Sequence, residues 1–181
     1  MNTVDFLFRR RDMTALLEQR RKKLYLVAYT WSKDRMLADD LAQETLTKAI
    51  RNLASLRDVS AMDAWLFRIL ANCWRDYLRR RRSMEDIDTL GDDEPAWDGN
   101  LNERQLVSRV RAAIARLPSG QREVLALVEL MGFSYAEVAA MLEIPIGTVT
   151  SRICRAREAL RLLLQETNAD CTNVVLFKEA N

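Results

Sequence analysis

Ser134-Tyr135-Ala136-Glu137-Val138-Ala139-Ala140-Met141-Leu142-Glu143-Ile144-Pro145-Ile146-Gly147-Thr148-Val149-Thr150-Ser151-Arg152-Ile153-Cys154-Arg155-Ala156-Arg157 reads as two helices joined by a turn. Ser134 can cap a helix and Glu137, three residues on, completes a capping box, which predicts a short helix over Tyr135 to Leu142. Glu143 to Gly147 carries a proline and a glycine and forms the turn. Thr148 begins the next helix. On a wheel of about 100° per residue, Val149, Ile153, Ala156 and Leu160 share one side and face a core. Ser151, Cys154, Arg155 and Glu158 lie opposite, with Thr148 and Arg152 on one flank and Thr150 and Arg157 on the other. From 148 to 161, four arginines (152, 155, 157, 161) face one glutamate (158), a net +3. A tight turn followed by a helix with an exposed cationic face is the geometry that lays a helix in the major groove, against phosphates and base edges. Taken alone, such a face is also what an ordinary solvated helix presents.

The rest of the chain is equally helical in character. Its 181 residues are 49% hydrophobic and 30% charged, rich in Leu, Ala, Arg and Glu, with five Gly and three Pro. Few turn residues are available for a β-rich fold, so an all-α protein of two small helical domains is expected. From Met13 to Ser83 the apolar residues recur at three and four without proline or glycine, which predicts a first domain over 1–83. Residues 84–102 lose the periodicity, contain Gly91, Pro95 and Gly99, and from 84 to 100 hold seven carboxylates and no Lys or Arg, the mark of a flexible acidic linker. Helical spacing returns from 103 to 165, broken at Pro118-Ser119-Gly120, Met131-Gly132-Phe133-Ser134 and Ile144-Pro145-Ile146-Gly147, giving a second domain of four helices. Residues 166–181, with Val174-Val175-Leu176-Phe177, form a tail, either frayed or a packing strand.

In the first domain, Arg68, Asn72, Arg75, Arg79 and Arg82 step by four and three along one helix face, while Leu66, Leu70, Cys73 and Tyr77 form the buried face. Flanked by Trp65 and extended by Arg80 and Arg81, the stripe combines phosphate attraction, a hydrogen-bonding amide and a stacking ring, which suits partly opened DNA. Trp74 reads as core. The preceding helix, Met36 to Ala54, points Ala38, Ala42, Leu46, Ala49 and Leu53 inward. Its outer face carries Asp40, Gln43, Glu44, Thr47 and Arg51, with Leu37 and Leu41 beside Glu44, a mixed apolar and acidic surface fit for a basic partner helix. Asp39, Asp40 and Glu44 could also be read as a catalytic or metal-binding cluster, but no histidine, nucleophile or glycine-rich loop accompanies them. Cys73, Cys154 and Cys171 are far apart and form no C-x-x-C pair, so neither a disulfide framework nor a structural metal is expected. No apolar run approaches the roughly 20 residues of a membrane span, and Phe6-Leu7-Phe8 is too short for a signal-peptide core, which leads us to expect a cytoplasmic protein.

Gly132 to Ala139 with Ile144 to Arg157 resembles the minus-35-reading domain four of extracytoplasmic-function sigma factors, and Leu117-Pro118 with Gln121-Arg122-Glu123-Val124 resembles that domain's opening. Ala38-Asp39-Asp40-Leu41-Ala42-Gln43-Glu44-Thr45, Ala64 to Asn72 and Arg75-Asp76-Tyr77-Leu78-Arg79-Arg80 resemble domain two of the same family, in the same order and spacing. The resemblance implies a transcription initiation factor without catalytic chemistry or cofactor. Its implied partners are core RNA polymerase, promoter DNA and an anti-sigma factor of a kind that can be membrane-anchored. The same resemblance puts Asp40, Gln43 and Glu44 on the coiled coil of the polymerase's largest subunit. It makes Asn72 and the loop Arg57 to Asp63, with Asp58, Ser60 and Ala61, the pocket for bases flipped from the minus-ten element. Promoter contact at minus-35 falls to Thr150, Ser151, Arg152, Cys154 and Arg155, although family members often carry a basic residue in place of Thr150 and an aromatic or histidine near Cys154. In the family the linker threads a positively charged polymerase channel; by charge alone it is equally a solvated spacer. The alternative is a helix-turn-helix regulator that binds DNA without polymerase and has no need of the outer face between Asp40 and Arg51.

Overall fold

The computed structural model describes residues 16–56, 58–83 and 101–178, with side chains described for 16–56, 58–81 and 106–165. Helical turns at 16–19 precede α1 (Arg21–Ser32), followed by α2 (Arg35–Arg51), the 3-10 turns Leu53–Ser55 and Val59–Ala61, and α3 (Met62–Ser83). The C-terminal helices are α4 (Leu101–Ala115), α5 (Ser119–Leu125) with its π-helical continuation Ala126–Leu130, α6 (Tyr135–Leu142) and α7 (Ile146–Lys178). The fold is all-α, with no strand among the described residues.

Local chemistry explains the N-terminal boundaries. Lys33 closes α1 in the left-handed region (φ 61°), donating its N–H to the Tyr29 carbonyl, and Asp34 then caps α2 by accepting from the Leu37 N–H at 3.0 Å. Ala38, Ala42, Leu46 and Ala49 are buried as the periodicity predicts, while Leu53 lies past the helix end and is half-buried. Leu41 corrects the reading: it is 2% exposed and belongs to the core, not to an outer docking face. The reason is that α2 is covered by both α1 and α3, so its inward arc is wider than one stripe. In α3, Leu66, Leu70 and Cys73 are joined in the core by Phe67, Ala71 and Trp74.

In the C-terminal half the capping box at Ser134 is present. Its Oγ accepts from the Glu137 N–H at 3.3 Å and its own N–H donates to Glu137 Oε2 at 2.8 Å. Ser134→Ala is expected to lower stability by about 1 kcal/mol, read as a lower urea midpoint with an unchanged slope; an unchanged midpoint would show that the box does not support α6. Three boundaries move from the expected positions. α7 starts at Ile146 rather than Thr148, because the Pro145 carbonyl accepts the Thr148 and Val149 N–H groups, and proline is tolerated where no helical donor is needed. It then runs to Lys178 through the residues read as a frayed tail or strand, since neither glycine nor proline follows Gly147 to stop it. α4 starts at Leu101, inside the stretch read as linker; residues 84–100 lie outside the described residues.

The buried side chains form one continuous cluster, not two. Trp31, Leu66, Leu70 and Trp74 from the N-terminal helices share it with Val124, Leu127, Val138 and Ile153 from the C-terminal ones. Across this seam α3 packs on α6, and α1 packs on α5 and its π-helical continuation. No helix among the described residues is long and apolar enough to cross a membrane.

Candidate nucleic-acid interface

The α3 stripe forms as the spacing predicts. Arg68, Asn72, Arg75 and Arg79 are exposed along one side, because the opposite side is taken up by the core. Trp65 is half-buried at the edge of this face and packs on the core, and the side chain of Arg82 lies outside the described residues. The stripe is not empty. Arg75 Nη1 lies 3.0 Å from Glu143 Oε2 and its Nη2 donates to Asn72 Oδ1, while Arg68 approaches Glu143 Oε1 at 3.8 Å. The hydrogen bond and charge of Arg75, aided by the charge of Arg68, hold the Glu143 carboxyl below the usual range. Arg79 pairs with Asp76 at 2.9 Å on its own helix.

At the N-terminal end of α3, Asp58, Ser60 and Ala61 are exposed; Arg57 lies outside the described residues. Asp58 caps the 3-10 turn, accepting from the Ser60 N–H at 2.9 Å and from the Ser60 hydroxyl, and these bonds lower its pKa.

On α7, Thr150, Ser151, Cys154 and Arg155 are exposed together, opposite buried Val149, Ile153 and Ala156. The Thr150 and Ser151 hydroxyls each donate to a carbonyl one turn back, Ile146 and Thr148, at 3.1 Å, and Thr148 is half-buried. Arg152 departs from this group. Its guanidinium lies over Gly120, 3.0 Å from where a Cβ would stand, and contributes to the field at Glu123. A side chain at residue 120 would crowd it. Arg157, on the other flank, is held by Glu129 at 2.6 Å and so fastens α7 to the end of the π-helical segment.

The outer face of α2 presents Asp40, Gln43, Thr47 and Arg51 as exposed and Leu37 and Glu44 as half-buried, without Leu41. Two of the three carboxylates read as one cluster, Asp39 and Glu44, are held by separate partners. Asp39 takes Arg21 at 2.8 Å and the Gln43 amide at 2.7 Å, and Glu44 takes Lys48 at 2.8 Å. Among the described residues no group of three or more His, Cys, Asp or Glu could hold a metal ion.

Sequence reasoning missed Glu123 and Arg122. Glu123 accepts from the Trp74 indole at 3.0 Å; burial raises its pKa against the opposing pull of that bond and of Arg152, Arg122 and Arg75. Arg122 is buried at 9% exposure and donates to the Ala115, Leu117 and Trp31 carbonyls. The only available signal was a charged pair inside a run whose neighbours, Val124, Leu125 and Leu127, are core.

The sigma-70 region 2 family profile matches residues 16–84 and the sigma-70 region 4 profile matches residues 108–160. The ECF RNA polymerase sigma factor EcfG of Rhodopseudomonas palustris is 40% identical over 154 residues, covering 82% of this chain and 81% of the relative. The RNA polymerase sigma-H factor of Pseudomonas aeruginosa is 37% identical over 145 residues, covering 73% and 75%. Among solved structures, the sigma factor RpoE of Bartonella quintana, crystallised with the anti-sigma factor NepR, superposes with a TM-score of 0.72 at 32% identity, covering 86% of this chain and 98% of that one. The matched regions follow one another in the order in which α2, the arginine stripe and the helix-turn-helix lie along the chain, and this chain belongs to the extracytoplasmic-function sigma factors of the sigma-70 family, the promoter-specific initiation factors of RNA polymerase.

Proposed function

We propose that residues 1–83 form the unit that docks on core polymerase and captures the minus-ten element, that 103–165 form the unit that reads minus-35, and that the acidic residues between them are the linker. In this reading Asp40, Gln43, Glu44, Thr47 and Arg51, with Leu37 at the edge, face polymerase. Arg68, Asn72, Arg75 and Arg79, with Trp65 and the loop of Asp58, Ser60 and Ala61, engage opened DNA. Thr150, Ser151, Cys154 and Arg155, flanked by Thr148 and Arg152, enter the major groove. The chain supplies binding and orientation without catalysis and works where polymerase is, in the cytoplasm. It is held in reserve by an anti-sigma partner, a reading supported by the NepR complex above and by a similar complex of CnrH with the cytosolic domain of CnrY.

The observation that carries this reading is the exposure of Thr150, Ser151, Cys154 and Arg155 as one polar face on a helix whose other side is locked into the core. Arg155 is the strongest donor of that face, since a guanidinium can pair with guanine or a phosphate. Arg155→Ala is expected to weaken holoenzyme binding to a minus-35-bearing promoter roughly five- to 150-fold, with core polymerase binding unchanged. A variant that binds the promoter as tightly as the parent would sink the assignment, and one that also loses polymerase would relocate the docking surface.

A further inference from the structure

We propose that the two halves of the chain latch each other, with Glu143 seated on Arg68 and Arg75 in the place a DNA phosphate would take. Promoter DNA and the C-terminal half then compete for the same guanidiniums. The proposal rests on reading the α3 stripe as a DNA surface.

Four observations converge on the seam. Arg75 and Arg68 reach Glu143 at 3.0 and 3.8 Å, and Arg75 also engages Asn72, so three of the stripe's four exposed members are tied up in this arrangement. Glu143 sits at φ 54°, in the left-handed turn after α6 where glycine or asparagine is favoured. A carboxylate is kept there despite the backbone cost. A second carboxylate acts on the other reading face: Glu123 takes the Trp74 indole at 3.0 Å and lies in the field of Arg152, whose guanidinium folds over Gly120. Aromatic and buried contacts complete the closure, Phe67 meeting Phe133 edge-on with ring centres 5.4 Å apart and Arg122 donating to the Trp31 carbonyl at 3.2 Å.

The seam is also built to part. Trp31 Nε1 and Arg122 Nε, one from each side, are buried without a hydrogen-bond partner, so closure leaves hydrogen-bonding capacity unfilled that water would satisfy on opening. The Glu143 pairs are solvent-exposed and therefore weak and salt-sensitive, whereas an opened DNA strand offers a row of phosphates whose counterions are released on binding. Isolated contact with non-specific DNA would be resisted, and the combined contacts of a promoter and polymerase would open the latch.

The test uses the full chain, with dyes placed by non-natural amino acids at the exposed positions Lys22 and Ala140, and reads the open population by single-molecule energy transfer. Glu143→Lys, which sets three cations against one another, is expected to raise the open fraction about three- to tenfold. Adding Arg68→Glu and Arg75→Glu should restore the parent's closed fraction by exchanging the signs. An open fraction unchanged by Glu143→Lys, or not restored by the exchange, would overturn the latch. A separate arm measures binding of unlabelled Glu143→Gln, which adds no positive charge, to a mixed-sequence single-stranded oligonucleotide. A rise of about two- to fivefold supports competition. Opening without any rise would overturn the competition and the DNA reading of the stripe while leaving the contact between the halves intact.

Discussion

Reversing Asp40 and Glu44 together to arginine is expected to abolish capture of core polymerase in a pull-down while leaving the helical circular dichroism signal intact. Both carboxylates stand on the solvent side of α2, Asp40 exposed and Glu44 half-buried, so neither contributes to the core that holds the helix. Against a basic partner helix, reversal converts two attractions into two repulsions, and like charges forced together at an interface cost several kcal/mol, enough for a loss of a hundredfold or more. Glu44 also pairs with Lys48, whose ammonium reaches Cys73 Sγ at 3.4 Å. Glu44→Arg alone therefore risks a local rearrangement at α3, and thermal melting of the double variant guards against mistaking that for lost docking. Normal capture by a folded double variant would remove polymerase from this face of α2.

Arg122→Ala is expected to cost about 3 to 5 kcal/mol, well beyond a typical surface arginine. α4 ends at Ala115 and, like any helix, leaves its last carbonyls without helical donors. The Arg122 guanidinium fills that gap, donating to Ala115 and Leu117, and crosses to the Trp31 carbonyl at 3.2 Å. Burial lowers its pKa, partly offset by Glu123, yet an arginine stays charged at any physiological pH. Alanine would strand three carbonyls, each costing about 1 to 3 kcal/mol when left unsatisfied, and open a void at the seam. Lysine should recover less than half of the loss, because a point charge cannot spread donors over separate acceptors. Differential scanning calorimetry would show Tm about 10 °C lower for alanine at about 2 to 4 °C per kcal/mol; a drop below about 2 °C would mean the carbonyls find other donors.

Much of the candidate site was legible because it depends on periodicity. Arg68, Asn72, Arg75 and Arg79 share a face whatever surrounds α3, since residues three and four apart always do, and the Ser134 and Glu137 capping box is closed within one turn. The errors fell where a neighbour from elsewhere in the chain decided the outcome. Leu41 sits at the edge of the inward stripe and was read as outward, but two helices cover α2 rather than one. Arg152 shares a flank with Thr148 on the wheel, and only the packing of α7 on α5 turns its guanidinium toward Glu123 and over Gly120.

What the sequence by itself determined is therefore the set of helices, their buried faces and the two basic surfaces, all of which follow from local spacing and capping. What only the tertiary structure decided is how those surfaces are used in the closed chain: the pairing of Arg75 with Glu143, 68 residues away, and of Trp74 with Glu123, 49 away. No local pattern encodes these pairs, because an exposed arginine is equally content with water, a phosphate or a carboxylate. The choice among them is made by which helices pack side by side, and that is settled by burying one continuous apolar cluster across both halves.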